Sequence, residues 1–211
     1  MLIYMNNNAK VSKAIIQEHF AGFKLQYQEE IMKALIIMGS RNPDGQTARA
    51  ADGMIQGMNI SEIEQFFLPR MKIDRCRQCD NAGWGICRTK GECVIKDDFA
   101  SLVDKIKGAD VVAFVTPVYF GDLSESLKTF LDRLRRTCMH ESGKENIAGK
   151  KCIGICVAGG GGGGAPSCTV SMEKVLRTCG FDIVDLVPVR RQNLEMKVEV
   201  LKITGKWLIE D

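Results

Sequence analysis

The stretch Lys33-Ala-Leu-Ile-Ile-Met38, continued by Gly39-Ser-Arg-Asn-Pro-Asp-Gly-Gln-Thr47, decides how the rest of the chain is read. Apolar residues run without a break after Lys33 and stop at a small-residue, polar loop, the pattern of a buried strand leading through a turn into a helix. Such a loop offers an anion the free N–H groups and the positive dipole end of a helix N-terminus. Ser40 and Thr47 add hydroxyls, Gln46 a carboxamide, Arg41 a charge, and Gly45 freedom to turn. No Gly-Lys-Ser/Thr closes the loop, and Gly-x-Gly-x-x-Gly is absent from it, which disfavours a nucleoside triphosphate or NAD as the tightly held ligand. The plain alternative is an ordinary strand-to-helix turn.

Outward from this loop the pattern repeats. Strands are expected at Lys33 to Met38, Ile63 to Leu68, Val111 to Thr116, Cys152 to Ala158 and Ile183 to Val189. Helices are expected at Gln46 to Met58, from Asp97-Asp98 to Lys107, Ser124 to Arg136, Thr169 to Cys179 and Glu195 to Ile209. Short apolar strands alternating with helices imply a parallel sheet covered on both faces. Five such units predict an α/β, doubly wound sheet in the order 2-1-3-4-5, over residues 32–211. Ligands of that fold bind at the carboxyl ends of the strands, so the loops after Met38, Thr116 and Ala158 should converge. Residues 1–31 read as an N-terminal helical extension. Asn6-Asn-Asn8 suits a cap, and Ile16, Phe20, Phe23 and Tyr27 recur at helical spacing, as on a helix lying on its own domain or a dimer arm.

The 211 residues carry a net charge of +3 with both signs interspersed, which indicates neither a nucleic-acid surface nor an acidic tail. No apolar run is long enough to span a bilayer, and the first residues lack the pattern of a secretory signal, so a cytoplasmic protein with no membrane partner is expected. Nine cysteines in such a chain point to metal or redox use, or plain burial, rather than disulfides.

The second loop is Thr116-Pro-Val-Tyr-Phe-Gly-Asp-Leu-Ser, continued by Glu-Ser-Leu-Lys-Thr-Phe-Leu-Asp-Arg133. Pro117 ends the strand, Val118, Tyr119 and Phe120 set large side chains at the sheet edge, and Gly121 permits close backbone approach. An isoalloxazine ring needs such an apolar wall and nearby backbone amides, although the aromatics could equally cap the core. The third loop is Ala158 followed by Gly159 to Gly164, whose bare backbone, Gly159 and Gly160 first, can lie against a ligand or act as a flexible linker.

The pairing of Gly-Ser-Arg…Gly-Gln-Thr with Thr-Pro-Val-Tyr-Phe-Gly-Asp-Leu-Ser…Leu-Lys-Thr-Phe-Leu-Asp-Arg resembles the flavodoxin-like NAD(P)H-dependent FMN reductase family over residues 33 to about 190. The resemblance implies FMN as cofactor and NAD(P)H as co-substrate. It puts Ser40, Arg41, Gln46 and Thr47 on the phosphate and Pro117 to Gly121 along the ring, with the glycine loop passing the pyrimidine end. It also implies a homodimer or larger homo-oligomer. Hydride would pass from the nicotinamide through FMN to a quinone, flavin or other small acceptor, with no catalytic side chain required.

Cys76-x-x-Cys79, Cys87 and Cys93 share one loop with Gly83, Trp84, Gly85 and Gly91. Thiolates so grouped suit zinc, an iron–sulfur cluster, or no metal at all. With the following Val-Ile-Lys-Asp-Asp98 the segment resembles the iron–sulfur flavoprotein branch, in which four cysteines hold a 4Fe–4S cluster that exchanges electrons with FMN. The spacing between Cys79 and Cys87 is wider than that branch's compact motif. The alternative function is therefore an electron carrier between a ferredoxin-like donor and another acceptor. The loop is expected near the carboxyl edge of the sheet. Cys138, Cys152, Cys156 and Cys179 read as core residues, with Cys168 the candidate exception beside the glycine loop.

Overall fold

The computed structural model describes residues 32–210. The N-terminal helical extension and the dimer-arm reading lie outside the described residues.

The chain runs β1 (Lys33–Met38), α1 (Gln46–Met58), β2 (Glu62–Phe67), a 3₁₀ turn (Leu68–Arg70), and the short α2 (Ile86–Thr89). It continues through α3 (Phe99–Gly108), β3 (Val111–Pro117), α4 (Glu125–Thr137) and the short α5 (Glu141–Lys144). The last part is β4 (Lys151–Ala158), α6 (Ala165–Cys179), β5 (Asp182–Arg190), a 3₁₀ turn (Arg191–Asn193) and α7 (Leu194–Glu210). The five strands form one sheet in the order β2-β1-β3-β4-β5, and every pairing is parallel. This is the flavodoxin-like doubly wound order expected from the sequence.

Apolar residues alternate across the sheet because successive strand side chains point to opposite faces. Leu35 and Ile37 join Phe114 and the buried sides of α3, α4 and α6 on one face. Ala34, Ile36 and Met38 join Val115 and the buried sides of α1 and α7 on the other. Helices α1 and α4, which follow adjacent strands, therefore leave for opposite faces.

Of the boundaries that differ from expectation, three have a local reason. Strand β2 stops at Phe67, one residue early, because Pro69 opens a 3₁₀ turn. Helix α6 begins at Ala165, since Pro166 is tolerated in a first turn, where no intrahelical N–H partner is lost. The Asp97-Asp98 pair does not charge a first turn. Asp98 is the N-cap position of α3 without a side-chain cap bond, and Asp97 accepts from the Phe99 N–H while its main partner is an arginine.

Helix α1 carries the N-terminus that faces the first loop, and α7 holds it in place by close approach. A Cβ at Gly205 of α7 would overlap the carbonyl oxygen of Met54 in α1. The two backbones pack without side chains between them there. Gly205→Val should lower the unfolding free energy by roughly 1–3 kcal/mol through this overpacking, read as a lower urea midpoint at unchanged slope; an unchanged midpoint would mean the helices separate at little cost.

Candidate functional site

The three loops do converge at the carboxyl edge, and hydrogen bonds tie them together. Gly39 N–H donates to the Val115 carbonyl at 2.7 Å, so the first loop starts hard against β3. Position 39 has no room for a side chain, because a Cβ would lie 2.5 Å from Ser124 Oγ and 2.9 Å from Thr116 Oγ1. Ser126 Oγ donates to the Gly39 carbonyl at 3.2 Å. Thr116 and Ser124 are both buried and bonded, at 3.0 Å between hydroxyls and 3.1 Å from Ser124 N–H to Thr116 Oγ1. The glycine loop joins from the other side. Val118 N–H donates to the Val157 carbonyl at 2.9 Å, Gly164 lies against the Gly121 backbone, and Gln192 donates to the Gly161 carbonyl at 3.1 Å.

The first loop has an anion-binding form. Helix α1 has no side-chain cap and no acidic residue in its first turn, so its leading N–H groups are uncommitted. Gln46 Oε1 is buried without a hydrogen-bond partner, and Thr47 is buried beside it. Turning the Gln46 amide over would aim its NH₂ at the same place. Ser40 Oγ accepts from Asn42 N–H at 3.3 Å, and Asn42 Oδ1 accepts from Asp44 N–H at 3.0 Å, which shapes the turn. Gly45 does not supply the freedom to turn expected of it. Its φ of −83° with ψ of 177° is extended backbone open to any residue. Arg41 shares a groove with Pro43, Pro69 and Arg70, and Arg70 donates to the Arg41 carbonyl at 3.0 Å. Arg70 was not singled out in the sequence, because only the parallel pairing of β1 and β2 brings residue 70 beside residue 41.

In the second loop, Tyr119 and Asp122 exchange backbone hydrogen bonds of 2.9 and 3.0 Å around Phe120 and Gly121. Both central residues have positive φ, 52° and 82°. A phenylalanine in that region is strained, yet Phe120 is fully exposed and Tyr119 is 59% exposed. An aromatic pair held out in solvent on a strained turn is placed to meet a flat ligand.

All four loop cysteines line one small, mostly apolar pocket, with Trp84 and Arg136 among its walls. None is in a disulfide. Among the described residues, no three His, Cys, Asp or Glu side chains stand close enough to share a single metal ion, the spacing a zinc site needs. Four thiols lining one pocket are the donor set that an iron–sulfur cluster takes. The cavity is not held at the carboxyl edge as expected. It lies against Arg133, Arg136 and Thr137, about 12 Å along α4 from its first turn at 1.5 Å per residue. The cause is a buried ion pair. Arg133 and Asp97 are each 1% exposed in their side chains and bond through two nitrogens at 2.6 and 3.0 Å. Arg136 stacks on Trp84 at 4.1 Å.

The other five cysteines are fully buried, Cys168 included. Burial, helped by the Asp182 charge, pushes the Cys152 thiol up to about 12. The neighbouring Cys168 thiol and burial raise Cys156. Buried thiols raised in this way are inert core residues.

Together the sheet, the uncapped helix and the aromatic turn define a flavodoxin-like site for a phosphorylated flavin. The chain belongs to the NADPH-dependent FMN reductase family, whose model matches residues 32–191. FMN is the cofactor that membership gives the site, and the uncapped α1 fits the phosphate, with the Gln46 amide turned so that its NH₂ donates from the place of the unpartnered oxygen. Among curated proteins, an iron–sulfur flavoprotein of Archaeoglobus fulgidus is 33% identical over 105 residues, 49% of this chain and 46% of that protein. One from Methanocaldococcus jannaschii is 30% identical over 131 residues, 61% of this chain and 65% of that protein. The chain thus spans about half to two-thirds of the length of these relatives. An NAD(P)H:quinone oxidoreductase structure from Methanothermobacter marburgensis matches with a TM-score of 0.61 at 19% identity, over 84% of this chain and 96% of that one. At that identity the likeness is one of fold.

Two outcomes are expected. Phe120→Asn should raise stability by about 0.5–1 kcal/mol in flavin-free protein, since Asn accepts positive φ more readily; a lower urea midpoint would show that the ring packs. Burial alone would raise the Asp97 carboxyl, but the Arg133 hydrogen bonds, those from the Asp74 and Phe99 amides and the Arg133 charge outweigh it and hold it below the usual range. A depressed carboxyl stabilises fully above its unfolded value, near pH 4, and loses that contribution as pH falls through its lower folded value. Asp97→Asn should therefore flatten the acid limb of the stability profile and cost roughly 3–5 kcal/mol at pH 7, because Arg133 is left buried and unpaired.

Proposed function

We propose that the chain is an FMN-dependent oxidoreductase that takes reducing equivalents from NAD(P)H and delivers them to a small acceptor such as a quinone or a flavin. The observation that carries this reading is the joining of three loops at the switch point, with an uncapped helix N-terminus on one side and a strained, exposed aromatic turn on the other. Ser40, Gln46, Thr47 and the leading amides of α1 would hold the phosphate, with Arg41 and Arg70 adding positive charge at the rim. Pro117 and Val118 would bound the ring, and the backbone amides of Tyr119 to Gly121 would face its polar edge. Ala158, Gly159 and Gly160 would close the pyrimidine side. Bound FMN supplies the hydride and electron chemistry, while the protein orients it and limits water. Tyr119 and Phe120, left uncovered, would form the wall against which nicotinamide or acceptor stacks. Their exposure also supports a homodimer in which a second copy covers the ring.

One observation favours a second reading, an electron carrier of the iron–sulfur flavoprotein kind. Cys76, Cys79, Cys87 and Cys93 share a single cavity despite the long spacing between Cys79 and Cys87, and curated relatives bear that name. In this reading the four thiolates would ligate a 4Fe–4S cluster.

An absorption spectrum with iron and acid-labile sulfide assays, followed by NADPH addition, separates the two. Flavin bands bleached by NADPH without iron support the first reading, and a broad brown absorption with iron and sulfide supports the second. A chain that binds no FMN overturns both. Thr47→Val should raise the Kd for FMN by roughly 5- to 30-fold, about 1–2 kcal/mol for one lost phosphate hydrogen bond; an unchanged Kd would remove Thr47 from the anchor.

A further inference from the structure

The buried guanidinium of Arg133 does more than satisfy Asp97. One of its nitrogens also donates to the Asp74 carbonyl at 2.9 Å, and the other to Cys93 Sγ at 3.3 Å. Asp97 Oδ2, bound to the same arginine, accepts from Asp74 N–H at 2.8 Å. Asp74 stands just before the first loop cysteine and Asp97 just after the last. A single side chain on α4 therefore joins the two ends of the cysteine loop and touches one of its sulfurs. The guanidinium lies over Phe99, 4.2 Å from the ring centroid. Its position is thus fixed by ion pair, backbone carbonyl and ring, independently of the sulfur.

We propose that Arg133 is the positioning residue of the cysteine cavity. It clasps the loop shut so that four separated thiols face one space, and it hydrogen-bonds the sulfur of Cys93. The clasp belongs to the metal-free chain. The second role rests on the cluster reading above. Closing a loop of this length costs chain entropy, which a fixed guanidinium offsets before any metal arrives. A hydrogen bond and a positive charge at a ligand sulfur favour the more negative, reduced state of a cluster. Arg133 therefore raises the reduction potential of a cluster held there. Lysine retains the charge but not the planar fork that reaches four acceptor atoms on three residues at once.

The test compares the full chain with Arg133→Gln, Arg133→Lys and Arg133→Gln combined with Asp97→Asn. The double variant removes both charges, so no carboxylate is left buried alone if the single variant folds poorly. In metal-free protein, amide hydrogen exchange over residues 74–97 should rise at least about 10-fold in Arg133→Gln and in the double variant, with β1 and β3 unchanged. After reconstitution with iron and sulfide, the cluster midpoint potential should fall in both, and Arg133→Lys should recover part of the fall. Unchanged exchange in a folded variant overturns the clasp. A wild-type potential in Arg133→Gln and the double variant overturns the sulfur contact. If the unmodified chain takes up no iron and sulfide, the cluster reading and the tuning role both fail, while the exchange measurement still decides the clasp.

Discussion

Two neighbouring strands whose helices depart in opposite directions leave a gap at their carboxyl ends, and this chain places its most distinctive chemistry at that gap. Helix α1 follows β1 to one face and α4 follows β3 to the other. The joint between them is small and polar: Gly39 against Val115, Thr116 and Ser124 bonded in the buried interior, and Ser126 reaching back to Gly39. A side chain at residue 39 would force this joint apart. The amides of α1 and the aromatic turn at residues 119–122 stand on its two sides, so the geometry of the flavin site depends on the joint remaining tight.

The same principle of a fixed polar anchor appears a second time, on α4. There a buried ion pair organises the cysteine loop by joining its two ends. Burying Arg133 and Asp97 costs solvation for both, and the pair is tolerable because nearly every hydrogen-bonding atom finds a partner. Arg133 Nε is the exception, buried without one. Helix α4 thus links the two centres. Its first turn joins the flavin loops, through the Ser124 cap, and its last turns wall the cysteine cavity. The flavin edge and the thiols are set apart by the rigid spacing of one helix.

Much of this was legible in the sequence because the signals were local. Five apolar strands alternating with helices gave the sheet order, and β1 and α1 match their expected limits. The three loops were recognisable from glycine, proline and aromatic punctuation, and the doubly wound topology required them to meet. The sequence also marked the four loop cysteines as a group, since they lie close together along the chain.

What the tertiary structure decided was set by contacts between distant residues, which leave no pattern in a local window. Gly45 read as a turning residue but sits in ordinary extended backbone. Arg70 came to stand beside Arg41 only through the pairing of β1 with β2. Asp97 read as a helix-start residue, whereas the buried Arg133, 36 positions along the chain, claims its carboxylate. That long-range pair moved the cysteine cavity from the sheet edge to the flank of α4. Sequence periodicity records which face a residue turns inward; the partner it meets there is fixed only when the layers pack.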